Sequence, residues 1–216
     1  FSKYFITSIL CIFAKNKSMD KIEREFIINN GLLLGLIFIF FPVLDLMIGL
    51  KISLLNYFLI FVIGWILFYT LLIIKLGRQF ASQYDIFPFR NTFRLIFLIS
   101  AIALGILSLG KTIIWTYSFP EKYIDINKNR EIALVSFPKN VLDDANLDGN
   151  ISDEDYKLQI ENLDNSILLI QEKWELINEE GIGNTYFFQI LITSLFFISI
   201  YCAILSLFIR KVTITN

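Results

Sequence analysis

Four stretches of this chain are each about twenty residues long and almost wholly apolar, running over about 30–50, 54–74, 92–117 and 185–209. No other feature of the sequence limits the fold so severely. About 20 apolar residues in a helix cover the ~30 Å hydrocarbon core of a bilayer, and in lipid the backbone has to satisfy its own hydrogen bonds. The pattern predicts an all-α chain, an integral membrane four-helix bundle. Composition agrees, because 56% of residues are hydrophobic and only 18% charged, against about half and a quarter in soluble domains.

Lys and Arg in the loops set the expected orientation. Lys3, Lys15, Lys17, Lys21 and Arg24 precede the first stretch. Lys75, Arg78, Arg90 and Arg94 surround the second loop, and Arg210 and Lys211 follow the last stretch. The first loop holds only Lys51. Segment 118–184 carries 15 acidic and 6 basic residues, a net of −9. All the basic regions fall on one side of a four-span arrangement. Both termini are expected on the cytoplasmic side of an inner membrane, with 118–184 extracytoplasmic. Four regions follow: a cytoplasmic amphipathic segment 1–29, spans one to three over 30–117, the acidic segment 118–184, and 185–216 with the last span and a short tail. A natural start at Met19 is expected, with 1–18 as either a natural extension or foreign sequence, and their apolar stretch, Tyr4 to Ala14, is too short to span.

Within the acidic segment, residues 118–143 read as irregular, punctuated by Pro120 and Pro138. One long amphipathic helix then begins at the N-cap Ser152, with Asp153, Glu154 and Asp155 in its first turn. Tyr156, Ile160, Leu163, Ile167, Ile170, Trp174 and Ile177 follow in steps of 4, 3, 4, 3, 4, 3, which is a heptad seam. Gly181 and Gly183 end it. Such a seam packs on segment 118–143 or the ends of the spans, or it binds a partner, either a second copy or another membrane subunit.

Between these parts lies Asp144-Ala145-Asn146-Leu147-Asp148-Gly149-Asn150-Ile151-Ser152-Asp153-Glu154-Asp155. Asp144, Asn146, Asp148, Asn150, Ser152 and Asp155 have the spacing of oxygen ligands in a calcium loop, with Gly149 at the sharp turn. The loop resembles EF-hand and dockerin-type calcium loops over these residues. A structural Ca²⁺ pinning the start of the long helix is one reading. An Asx-rich turn leading into an N-cap is the other.

Few charges interrupt the apolar stretches. Asp45 and Lys111 are expected to face each other near the outer ends of spans one and three, because a lone charge in a bilayer is costly. They form a buried pair, an ion-handling site, or two side chains at headgroup level. Gly31 and Gly35 form a GxxxG motif that permits close helix approach. The chain has no His, which removes His-ligated haem and His-based acid–base catalysis. Nucleophile motifs, phosphate-binding loops and CxxC pairs are absent, so no enzyme is expected. Cys11 and Cys202 are not expected to form a disulfide. A net charge of −1 gives no reason to expect nucleic acid.

Asn30-Gly31 through Gly35, Gly77-Arg78, Phe87-Pro88-Phe89, and the exit Trp115, Tyr117, Phe119-Pro120-Glu121 make the chain similar to an uncharacterised four-helix inner-membrane family of Bacteroidota, a domain of unknown function. The resemblance covers about residues 26–124 and the last span. It implies an inner-membrane location and no assigned activity. The expected function is a non-enzymatic structural or accessory subunit of a larger membrane complex, in contact with lipid and other subunits. The alternative is a small transporter or channel component using Asp45 and Lys111.

Overall fold

The computed structural model describes residues 20–49, 51–183 and 186–211. Residues 1–19, with Cys11 and the expected start at Met19, lie outside them. Among the described residues the chain is all-helical: α1 Lys21–Ile48, α2 Leu54–Ala81, α3 Phe89–Ser118, α4 Pro120–Leu147, α5 Asp153–Glu180 and α6 Tyr186–Ile209. Four of them, α1, α2, α3 and α6, are long and apolar enough to cross a membrane. They extend beyond the apolar stretches where polar residues find helical partners. Residues 21–29 belong to α1 and are not a separate segment. There Lys21 pairs with Glu25 one turn on, at 3.9 Å.

The chain divides into two compact units. The first takes α1 up to Phe38, α2 from Phe68, α3 up to Leu107, and α6 from Leu191. Missing side chains let its helices approach. A Cβ on Gly31 would lie 2.8 Å from Ile102 Cβ, and one on Gly35 2.7 Å from Ile106 Cβ. The GxxxG motif of α1 is thus the surface on which α3 packs. Gly77 gives Ile209 and Ile96 the same freedom. Buried hydroxyls join three helices: Tyr69 bonds to Ser100 at 2.7 Å and lies 3.5 Å from Cys202 Sγ, and Thr70 bonds to Tyr201 at 2.6 Å. Cys202 is a free, buried thiol. Glu23 is 6% exposed and takes two 2.8 Å hydrogen bonds from Arg94 Nη2.

The second unit comprises Ile39–Leu67 and Ser108–Ile190. Its centre is an antiparallel hairpin of α4 and α5. Segment 118–143, expected to be irregular, is helical from Pro120 onward. Pro120 occupies the first turn, where a missing N–H is harmless and its fixed φ suits the helix. Pro138 sits inside α4 at the cost of one backbone bond. Contacts with α5 hold the helix on both sides of it: Lys173 and Trp174 bond to Glu131, and Tyr156 to Asp143. The turn is short because Gly149 adopts φ +69°, a left-handed conformation open to Gly. Ser152 caps α5 by accepting from the Asp155 N–H, and Gly181 ends it at φ +80°. Both α2 and α3 contain a π-helical stretch in this unit, Phe58–Gly64 and Ile113–Ser118.

The glycine contacts carry an expectation. Gly35→Leu should lower stability by about 1–3 kcal/mol through overpacking, read as a shifted unfolding transition in detergent. Gly64→Ala, whose Cβ has nothing closer than 3.4 Å, should leave that transition in place.

Candidate functional site

Asp45 lies in the last turn of α1, where the helix dipole already points negative charge at it. A carboxylate there needs a cation, and it is 4% exposed. Its partner is Arg130 of α4. Arg130 Nη1 donates to Asp45 Oδ2 at 3.0 Å, and Nη2 donates to Oδ1, which makes a bidentate fork. The guanidinium lies 3.6 Å from the centre of the Tyr57 ring, at the head of α2. One arginine thereby joins α4 to α1 and α2. Gly49 leaves the space it needs, since a Cβ there would come within 2.6 Å of Arg130 Nη2.

This differs from the expected pairing of Asp45 with Lys111. The bidentate fork of Arg130 occupies both carboxylate oxygens, and no ion pair joins Lys111 to Asp45 among the described residues. Lys111 instead places its ammonium 4.9 Å from the centre of the Trp115 ring. Trp115 packs on Tyr123 at 4.8 Å, and Tyr123 meets Trp174 edge-on at 6.0 Å. With Ile124 these rings form the core of the second unit, and Leu46, Ile114, Ile170 and Ile177 pack against it. Sequence reading missed Arg130 and Tyr57. Arg130 was detectable as the one arginine among the six basic residues of a net-acidic segment, but only a helical α4 places it.

The seam of α5 emerges in the expected register. Trp174 is buried, and Tyr156, Ile160, Leu163, Ile167, Ile170 and Ile177 are half-buried. It is occupied within the chain, along α4. Tyr156 donates to Asp143 Oδ1 at 2.7 Å, and that bond pushes the phenol pKa up. Glu131 accepts 2.8 Å bonds from Lys173 and a 3.0 Å bond from Trp174 Nε1. Lys128 pairs with Glu175 at 3.8 Å. A hollow of about 170 Å³ beside Trp174 is lined by Tyr123, Ile177, Gly181, Ile182, Gly183 and Gln189, none of them charged.

Helix α4 runs into the calcium-type loop. Asp144 and Asn146 lie in the last turn of α4. Residues two apart on a helix point about 200° apart, whereas alternate residues of an open loop converge. Asp148 caps the helix, donating its N–H to the Asp144 carbonyl at 2.9 Å. Asn150 is exposed in the turn. Asp155 Oδ2 accepts from Ser152 Oγ at 2.7 Å. Among the described residues no three carboxylate or thiol side chains stand close enough to share an ion. Within the turn, Ser152 and Asp148 make the hydrogen bonds just described, and the side-chain oxygen of Asn146 is buried with no partner.

No family model, curated protein or solved structure matches the chain.

Removing one partner of a buried pair strands the other charge, so Asp45→Asn and Arg130→Gln should each destabilise by about 3–5 kcal/mol. The double variant should cost far less than their sum, which a double-mutant cycle in detergent checks. Saturating calcium should leave the unfolding transition unmoved, and an EDTA-reversible upward shift would restore the ion-binding reading of residues 144–155.

Proposed function

We propose that the chain is a non-enzymatic subunit of a larger membrane assembly, inserted in an inner membrane with both termini cytoplasmic and the α4–α5 hairpin outside. Three observations support insertion. Leu33, Leu36 and Phe40 of α1, Leu71 of α2, and Phe196, Phe197 and Phe208 of α6 are each more than half exposed, a surface fit for lipid and not for water. Glu23 and Asp45, each clasped by an arginine, are separated along α1 by roughly 33 Å at 1.5 Å per residue, close to the hydrocarbon thickness. In the sequence, Lys and Arg concentrate in the connections that a four-span arrangement puts on one side and segment 118–184 is net acidic, the pattern of the positive-inside rule.

One observation carries the subunit reading. Leu134, Phe137 and Val141 form a stripe on α4, at 59%, 70% and 64% exposure, in the most charged part of the chain. Spacings of three and four place them on one face. Large apolar side chains exposed in a row mark a contact surface. The internal seam of α5 is already covered by α4, so the partner surface is this outer stripe. No observation favours the transporter alternative, because the Asp45 carboxylate is saturated by Arg130.

Two measurements test this. With Cys11 and Cys202 replaced, a cysteine at Leu147 should react with an impermeant maleimide on intact cells, and one at Ser82 only after lysis. The opposite pattern would invert the topology. At native expression, the wild-type chain should migrate as part of a larger complex, and Phe137→Asp with Val141→Asp should release it alone. Unchanged migration of that variant would contradict the subunit reading.

A further inference from the structure

Buried polar side-chain atoms almost always have hydrogen-bond partners. Among the described residues, four that lack one belong to Ser108, Trp115, Thr116 and Arg130. Ser108, Trp115 and Thr116 lie with Lys111 on the last turns of α3, where the helix widens into its π-helical stretch. π-Helical segments are often found at functional sites. Ser108, Lys111 and Trp115 follow at steps of three and four, so they share a face. Asp45 and its partner Arg130 both lie within electrostatic reach of Lys111.

The chemistry of these groups is one-sided. Trp115 Nε1 and Arg130 Nε can only donate, a lysine ammonium offers three donors and no acceptor, and the two hydroxyls can donate as well. Charge is equally one-sided: Arg130 cancels Asp45, and Lys111 remains as one positive charge in excess. Ser108 is 1% exposed and Trp115 8%, so water has little access to their orphaned atoms. Lys111 and Thr116 are half-buried, and through these two side chains the donor set reaches the surface of α3.

We infer that Lys111, Trp115 and Thr116, backed by Arg130, form a binding site for a phosphate group. A tetrahedral phosphate offers several acceptor oxygens to donors arriving from different directions, and its charge answers the excess on Lys111. The cation–π contact holds the ammonium over Trp115, so the lysine is oriented before the ligand arrives. Lys111 lies in the last turn of the α-helical part of α3, seven residues before the span ends at Ser118. On the membrane reading above, on which the choice of source rests, that end of the span meets the extracytoplasmic headgroup layer. The phosphate there is a phospholipid's; a soluble phosphate is the other source.

The test uses the full chain purified in detergent. Native mass spectrometry with added phosphatidylglycerol, or with a phosphate-free glycolipid, reads the lipid source. Calorimetry with inorganic phosphate reads the soluble one. Wild type and Lys111→Arg should hold phosphatidylglycerol in preference to the glycolipid, and Lys111→Gln should hold it about tenfold less tightly, the scale of one charge-assisted bond. Lys111-dependent binding of inorganic phosphate without that lipid preference would also support the site and assign it to a soluble ligand. If neither probe distinguishes Lys111→Gln from wild type, the inference is overturned. Should Lys111→Gln lose its helical signal, Trp115→Phe decides, because it removes the indole donor and keeps a ring; unchanged binding would overturn the proposal. A chain that stays in solution without detergent would defeat the membrane reading and leave the phosphate result standing on its own.

Discussion

An aspartate in the last turn of an apolar helix is held in place only if something neutralises it. In this chain that is Arg130, and the second unit is arranged to deliver it. The guanidinium must reach both oxygens of Asp45 and still lie on the Tyr57 ring. Gly49 yields the space. A buried pair of this kind adds little to stability over a well-packed apolar replacement, but leaving half of it is expensive. Its consequence is positional: α4 has one place to sit on α1 and α2.

Arg130 can be presented so exactingly only from a stiff support, and the α4–α5 hairpin supplies it. Glu131, next to Arg130, is tied to Lys173 and Trp174. Trp174 in turn closes the aromatic row through Tyr123 to Trp115. The same residues that fix the arginine therefore fix the base of the hairpin against the end of α3. This leaves the outer face of α4 with nothing to do inside the unit, and it is there that Leu134, Phe137 and Val141 are exposed.

The four apolar helices were legible because twenty-residue apolar runs have few alternatives. The seam of α5 was legible because steps of three and four persist over three heptads. The Gly31–Gly35 surface was legible as a motif, though not its partner. Helix α4 was hidden for a definite reason. Its matching face passes through Ile124, Lys128, Glu131, Val135 and Leu142, and charges occupy two of these positions. Those charges pair across the hairpin with Glu175 and Lys173, which no apolar count detects. Pro138 added a second false stop. With α4 hidden, Arg130 has no place in a sequence reading, and there Asp45 faces Lys111 as the cation at its depth on a visible helix. Residues 144–155 admit two readings for another reason. Calcium-ligand spacing and a Gly-centred helical turn use the same Asp, Asn and Gly residues, and α4 running to Leu147 turns Asp144 and Asn146 apart.

Hydrogen exchange of the backbone amides tests most directly whether the Asp45–Arg130 pair holds the hairpin. Wild type and Asp45→Asn would be compared in the same detergent, peptide by peptide. On this account, exchange in α4 and the start of α2 accelerates many-fold in the variant, while the Gly31–Phe38 and Leu95–Leu104 segments of the first unit keep their protection. Equal protection of α4 in both proteins would show that the aromatic core seats the hairpin without the ion pair, and would contradict the account.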